Sequence, residues 1–90
     1  MRTIERAAAI YHAAAPVAGT PADIRKEIFS RALRMACKAA GVGTPSGILD
    51  AAGLDFDKAF FAVSQAHRSA ERGVDFMSTW AKLCEVAKAA

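Results

Sequence analysis

The chain has 90 residues, 53% hydrophobic and 23% charged, with a net charge of +3 from 12 Lys and Arg against 9 Asp and Glu. That length sets one small domain, 1–90, with a modest core, and that composition excludes a disordered chain. The excess charge falls short of the basic stripe that a dedicated nucleic-acid binder carries, and the alanine-rich apolar share, with one Tyr, one Trp and no alternating run, favours packed helices over strands.

The first predicted helix runs from Thr3 to Ala15, with Ile4, Ala7, Tyr11 and Ala14 on one side and Pro16 as its stop. PVAG at 16–19 is a short loop. The next stretch, GTPADI (19–24), is repeated almost word for word as GTPSGI (43–48). Both read as helix starts. Thr20 and Thr44 are N-cap residues, and Pro21 and Pro45 take the first helical position, where a missing N–H costs nothing. Asp23 three residues after Thr20 completes a pattern close to a capping box. The likeness ends at Ile24 and Ile48, so this is recurring cap chemistry and not an internal duplication. A phosphate loop would need more glycines and a Lys-Ser/Thr ending.

The second helix, Pro21 to Ala40, reads with a core stripe of Ile24, Ile28, Ala32, Met35 and Ala39, broadened by Phe29, Leu33 and Ala36. Gly41 and Gly43 end it. A short third helix points Ile48 and Leu49 inward and stops at Gly53. Asp55 caps a fourth, Phe56 to Arg72, stopped by Gly73. Asp75 caps a fifth, Phe76 to Lys88, with Phe76, Thr79, Trp80, Leu83, Val86 and Ala87 as its apolar stripe. The expected fold class is all-α: a compact single-domain bundle of five helices with short Gly/Pro-containing loops.

Catalytic and metal chemistry find little support. His67 reads as a structural residue beside Phe60 and Val63, and His12 as a surface residue. Pairing either with Cys37 or Cys84 lacks a motif and a third orienting group. The same four residues lack the close ligand pairs of a structural zinc site. No catalytic residue, no metal and no cofactor is therefore expected. Cys37 and Cys84 read as reduced, packed thiols, although one disulfide stays open. No run of about 20 apolar residues suggests a membrane span. Residues 1–15 carry Arg2, Glu5, Arg6 and His12, which suits no secretory signal, so a cytoplasmic protein is expected.

Binding residues are better candidates. In the fourth helix Phe56, Ala59, Phe60, Val63, Ala66 and Ala70 form the inward face, while Phe61 points outward among Lys58, Gln65, Arg68 and Arg72. An aromatic inside a polar rim is the anatomy of an interface anchor. The plain alternative is that the first or fifth helix covers Phe61. On the second helix Lys26, Arg31, Arg34 and Lys38 gather opposite Ile24 and Ile28 as a basic face, with Glu27 the one acid there. These features point to a non-enzymatic protein that binds a partner with an acidic surface, as an inhibitor, adaptor or small regulator. Small motif-free helical chains of this kind recur among phage and plasmid gene products that inhibit host machinery, including host defence. The competing reading is a nucleic-acid-binding transcriptional regulator with a degenerate helix-turn-helix over residues 45–65. Its recognition helix would open with Asp55 and Asp57, which repel phosphates. A homodimer formed through alanine-rich faces is the third class.

Overall fold

The computed structural model describes residues 2–14 and 16–89. Among these, five helices follow one another: α1 (Thr3–Ala13), α2 (Ala22–Ala40), α3 (Pro45–Ala51), α4 (Phe56–Glu71) and α5 (Phe76–Ala89). The all-α class is as expected. The predicted end of the first helix at Ala15 lies outside the described residues. Two antiparallel pairs, α1 with α2 and α4 with α5, carry most of the packing, and α3 links them. The assembly measures 34 × 26 × 23 Å.

The helix signals act locally and most do what their chemistry requires. Thr44 accepts a hydrogen bond from the Gly47 N–H at 3.2 Å, with Pro45 opening α3. Asp55 accepts from the Lys58 N–H at 2.8 Å and Asp75 from the Ser78 N–H at 2.9 Å. Each satisfies one of the free donors of a first turn. Gly41, at φ 64°, closes α2 in the left-handed region that other residues avoid. Gly43 does not adopt that conformation.

The first GTP copy departs from its twin. Pro21, not Thr20, is the N-cap of α2, and no side chain caps the helix, so the expected Thr20 cap and Asp23 capping box do not form. The Thr20 hydroxyl is used elsewhere: it donates to the Val17 carbonyl at 2.6 Å, and the Thr20 N–H donates to the same oxygen at 3.1 Å. Those two bonds close a turn over residues 17–20 whose third residue, Gly19, sits at φ 86°. A tight turn before Pro21 thus takes the hydroxyl that a cap would need.

Two apolar stripes are turned from their expected positions. On α2 the buried line is Phe29, Ala32, Leu33, Ala36 and Cys37, whereas Ile24, Met35 and Ala39 are exposed and Ile28 is half-buried. The shift is about one residue, or roughly 100° around the helix. Aromatic packing explains it. Phe29 meets Tyr11 of α1 edge-on at 5.9 Å and Phe56 of α4 at 5.6 Å. Docking that ring between the two pairs rotates the isoleucines outward. On α5 the core line is Phe76, Trp80 and Cys84, and Val86 is exposed rather than inward. Ala14 of the first helix is also exposed.

Candidate functional site

α4 is the most deeply packed helix, and its exposed strip is correspondingly narrow. Ala59, Ala62, Val63 and Ala66 are fully buried, and Phe60, Ser64 and His67 nearly so. What remains outward is Asp57, Phe61, Arg68 and Glu71, followed by Arg72 at the C-cap, with Lys58 and Gln65 half-buried beside them. Phe61 is 57% exposed, so neither α1 nor α5 covers it.

α5 completes the surface. Leu83, Val86 and Ala87 lie against Asp57, Lys58 and Phe61 to form an apolar groove of about 340 Å³. Val86, 67% exposed, is the most uncovered large hydrophobic residue of α5 among the described residues. Lys58 lines this groove beside Asp57, and Arg68 and Arg72 lie further along the exposed strip of α4; none of the three cations lies within ion-pair distance of a carboxylate among the described residues. The groove therefore combines an apolar floor with one cation and one carboxylate at its edge, and two further cations lie beyond it on α4.

The second candidate surface is divided. Arg31 and Arg34 both stand 3.6 Å from Glu27 Oε1, and Arg34 also donates to Ser30 at 3.0 Å. Lys38 is exposed. Lys26 leaves this group, its ammonium lying 5.7 Å from the centroid of the Phe60 ring. Arg31, Arg34 and Lys38 belong to the other helix pair and line no part of the Phe61 groove. Arg31 instead borders a separate groove with Ile10, Ile28 and Met35.

The turn between α3 and α4 has the outline of a helical corner. Gly53 at φ 74° reverses the chain, and Ala59 and Ala62 face the core. The Asp55 carboxylate is taken by its cap, and Asp57 stays exposed on the opening turn of α4.

The two histidines meet, contrary to the expectation of a surface His12. Its ring is half-buried, stacked on Phe76 at 4.2 Å with 9° between the planes. Its Nδ1 stands 2.8 Å from Nδ1 of His67. His67 Nε2 donates to the Pro16 carbonyl at 3.2 Å, since a carbonyl can only accept. The short contact between the two Nδ1 atoms needs one proton shared between the rings. Burial first, and the neighbouring His67 second, lower the pKa of His12 from its ordinary 6.5. This pair ties α1, α4 and the 16–20 loop together.

The cysteines are buried and free. Burial raises the Cys84 thiol to about 11, which keeps it protonated and a poor nucleophile at neutral pH. Among the described residues no three His, Cys, Asp or Glu side chains assemble as a metal site, and no helix is long and apolar enough to cross a membrane. Compared with protein-family models, with curated proteins and with solved structures, the chain matches none.

Proposed function

We propose that this chain is a non-enzymatic binding protein that acts by occupying an acidic surface of another protein, as an inhibitor, adaptor or small regulator. One observation carries the reading: the apolar groove of Phe61, Leu83, Val86 and Ala87, with Lys58 and Asp57 at its edge and Arg68 and Arg72 further along the same strip of α4, the three cations being unpaired among the described residues. Exposing an aromatic and a valine together costs solubility, and a buried interface removes that cost. Phe61 acts as the desolvated anchor. The cations discriminate for a carboxylate-rich rim and speed encounter. The Arg31, Arg34 and Lys38 surface adds only long-range attraction, because Glu27 offsets part of its charge.

The test is affinity capture from the native host's lysate, with and without nuclease, followed by titration of the purified candidate. Wild type, Phe61→Ala and Val86→Ala are compared. Retention after nuclease, with affinity lowered about 30-fold or more by Phe61→Ala, supports the anchor. Recovery of nucleic acid alone, with affinity falling steeply as salt rises, overturns it in favour of the helix-turn-helix reading. Sedimentation as a dimer that Phe61→Ala converts to monomer would make the partner a second copy.

A further inference from the structure

Arg25 is held as if for a ligand, although no local motif marks it. Its Nε donates to the Thr20 carbonyl at 3.0 Å and its Nη1 to Ser64 Oγ at 3.3 Å. The guanidinium carbon stands 5.5 Å from the centroid of the Phe60 ring. The group is therefore fixed by the 16–20 turn, α4 and an aromatic ring at once. A guanidinium has five N–H donors, so most of them remain free. No carboxylate comes within ion-pair distance of Arg25 among the described residues.

These free donors border a cleft of about 120 Å³ between the 16–20 loop and α4, lined also by Tyr11, Ser64, His67, Arg68 and Glu71. That is room for about four waters, or for one small polar group. Tyr11 is 1% exposed, and its hydroxyl takes part in no side-chain hydrogen bond among the described residues. Among the described residues no fully enclosed polar side-chain atom lacks a partner. Tyr11 borders the cleft as part of its wall. His67 has both ring nitrogens occupied, by Pro16 and His12, and serves as wall and tie rather than as donor.

A fixed guanidinium outside ion-pair distance of every described carboxylate, a second cation at Arg68 and the Ser64 hydroxyl share one complementary chemistry. We propose that this cleft binds a small oxyanion, the carboxylate or phosphate group of a ligand, with Arg25 as its principal contact. A fork of parallel N–H groups already held in place loses little entropy on engaging two anionic oxygens. The Glu71 carboxylate opposes the same anion, so the site binds more weakly than its two arginines alone would allow. The cleft and the Phe61 groove have no lining residue in common, although Arg68 belongs both to this cleft and to the cationic strip of α4, and the oxyanion site does not depend on that groove binding a protein.

The experiment is an amide and arginine side-chain NMR titration of the whole chain with inorganic phosphate and, separately, acetate, at constant ionic strength. The expected result is saturable shifts at residues 17–20, Ser64, Arg68 and the Arg25 Nε–H, with a Kd of about 1 mM or tighter for one of the two anions. Arg25→Gln abolishes saturation. Arg25→Lys, which keeps the charge and loses the fork, weakens binding several-fold, and Glu71→Gln tightens it. Should Arg25→Gln fail to fold, Arg68→Gln replaces it and is expected to raise the Kd several-fold. The anion that saturates first identifies the source of the oxyanion. Linear shifts without saturation, shifts of equal size at Arg31, Arg34 and Lys38, or saturation unchanged by these substitutions would overturn the proposal.

Discussion

Phe60 and Phe61 are adjacent in sequence and opposite in environment, and truncating each to alanine separates the two roles of α4. Phe60 is 8% exposed and packs against Phe29 and Phe56, at ring-centroid distances of 6.4 and 6.2 Å. Phe60→Ala leaves a cavity and is expected to cost about 3–5 kcal/mol. It also removes the ring beneath Arg25 and Lys26. Since a small domain is stable by only about 5–15 kcal/mol, that loss takes a large share of the total.

Phe61 is 57% exposed, so less than half of its surface is withdrawn from water. Full burial of a phenylalanine contributes about 1.5–3 kcal/mol, which puts the share of Phe61 at about 1 kcal/mol. Alanine is the better helix former by about 0.5 kcal/mol, and this offsets part of the loss. The net cost is about 0.5 kcal/mol, or about 2–4 °C in Tm for a chain of this size. Urea and thermal unfolding of both variants beside wild type measure the contrast. A Phe61→Ala variant as unstable as Phe60→Ala would refute the reasoning, because it would place Phe61 in the core. A folded Phe61→Ala that binds the purified partner as wild type does would remove it as the anchor.

The two GTP copies separate in the same assay. Thr44→Ala should lose about 1 kcal/mol, because the Gly47 N–H loses its acceptor. Thr20→Ala should lose clearly less, because its hydroxyl closes an exposed turn and caps no helix; equal losses in urea would contradict this. The histidine pair predicts a pH dependence. The lowered pKa of His12 contributes stability that is fully present above the ordinary value of 6.5 and is lost as pH falls through the folded value. Tm should therefore drop between about pH 7.5 and about pH 5.5, where carboxylates stay ionised, and His12→Gln should flatten that slope. Parallel slopes for the two proteins would show that His12 is not the titrating group.

The element boundaries were legible because their causes are local. Thr44, Asp55 and Asp75 each bond a backbone N–H three residues on, and Gly41 and Gly53 each turn the chain where they stand. The faces were less legible. α2 is apolar on two sides: Ile24, Ile28 and Met35 make one stripe, and Phe29, Leu33 and Ala36 another. Period alone allows either stripe to face inward. The choice rests with Tyr11 and Phe56, which meet Phe29 from other helices. Val86 follows the same logic, since burying Cys84 and Trp80 turns it out toward Phe61. The Arg25–Ser64 and His12–His67 contacts span 39 and 55 residues, and no spacing rule reaches that far.

The unpaired charge around the groove, by contrast, has a cause that can be read along α4. On the other helices acids and bases pair within one turn: Arg2 with Glu5, Glu27 with Arg31, Glu85 with Lys88. At the same spacings on α4 the acids have other work. Asp55 lies three residues before Lys58, but its carboxylate caps the helix. Asp75 lies three residues after Arg72, but it caps α5, and the bonds from Ser78 hold its pKa below the ordinary value and keep it occupied as an anion. Glu71 lies three residues after Arg68 and borders the Arg25 cleft without reaching ion-pair distance. The caps that define the ends of α4 and α5 thus draw away two of the carboxylates that would otherwise neutralise the rim. Replacing Ala62, four residues after Lys58, with Glu would restore a partner only by burying a charge, since Ala62 is fully enclosed. The unpaired cations along α4 therefore follow in part from the helix-capping pattern, while Asp57 keeps one carboxylate in the wall of the groove.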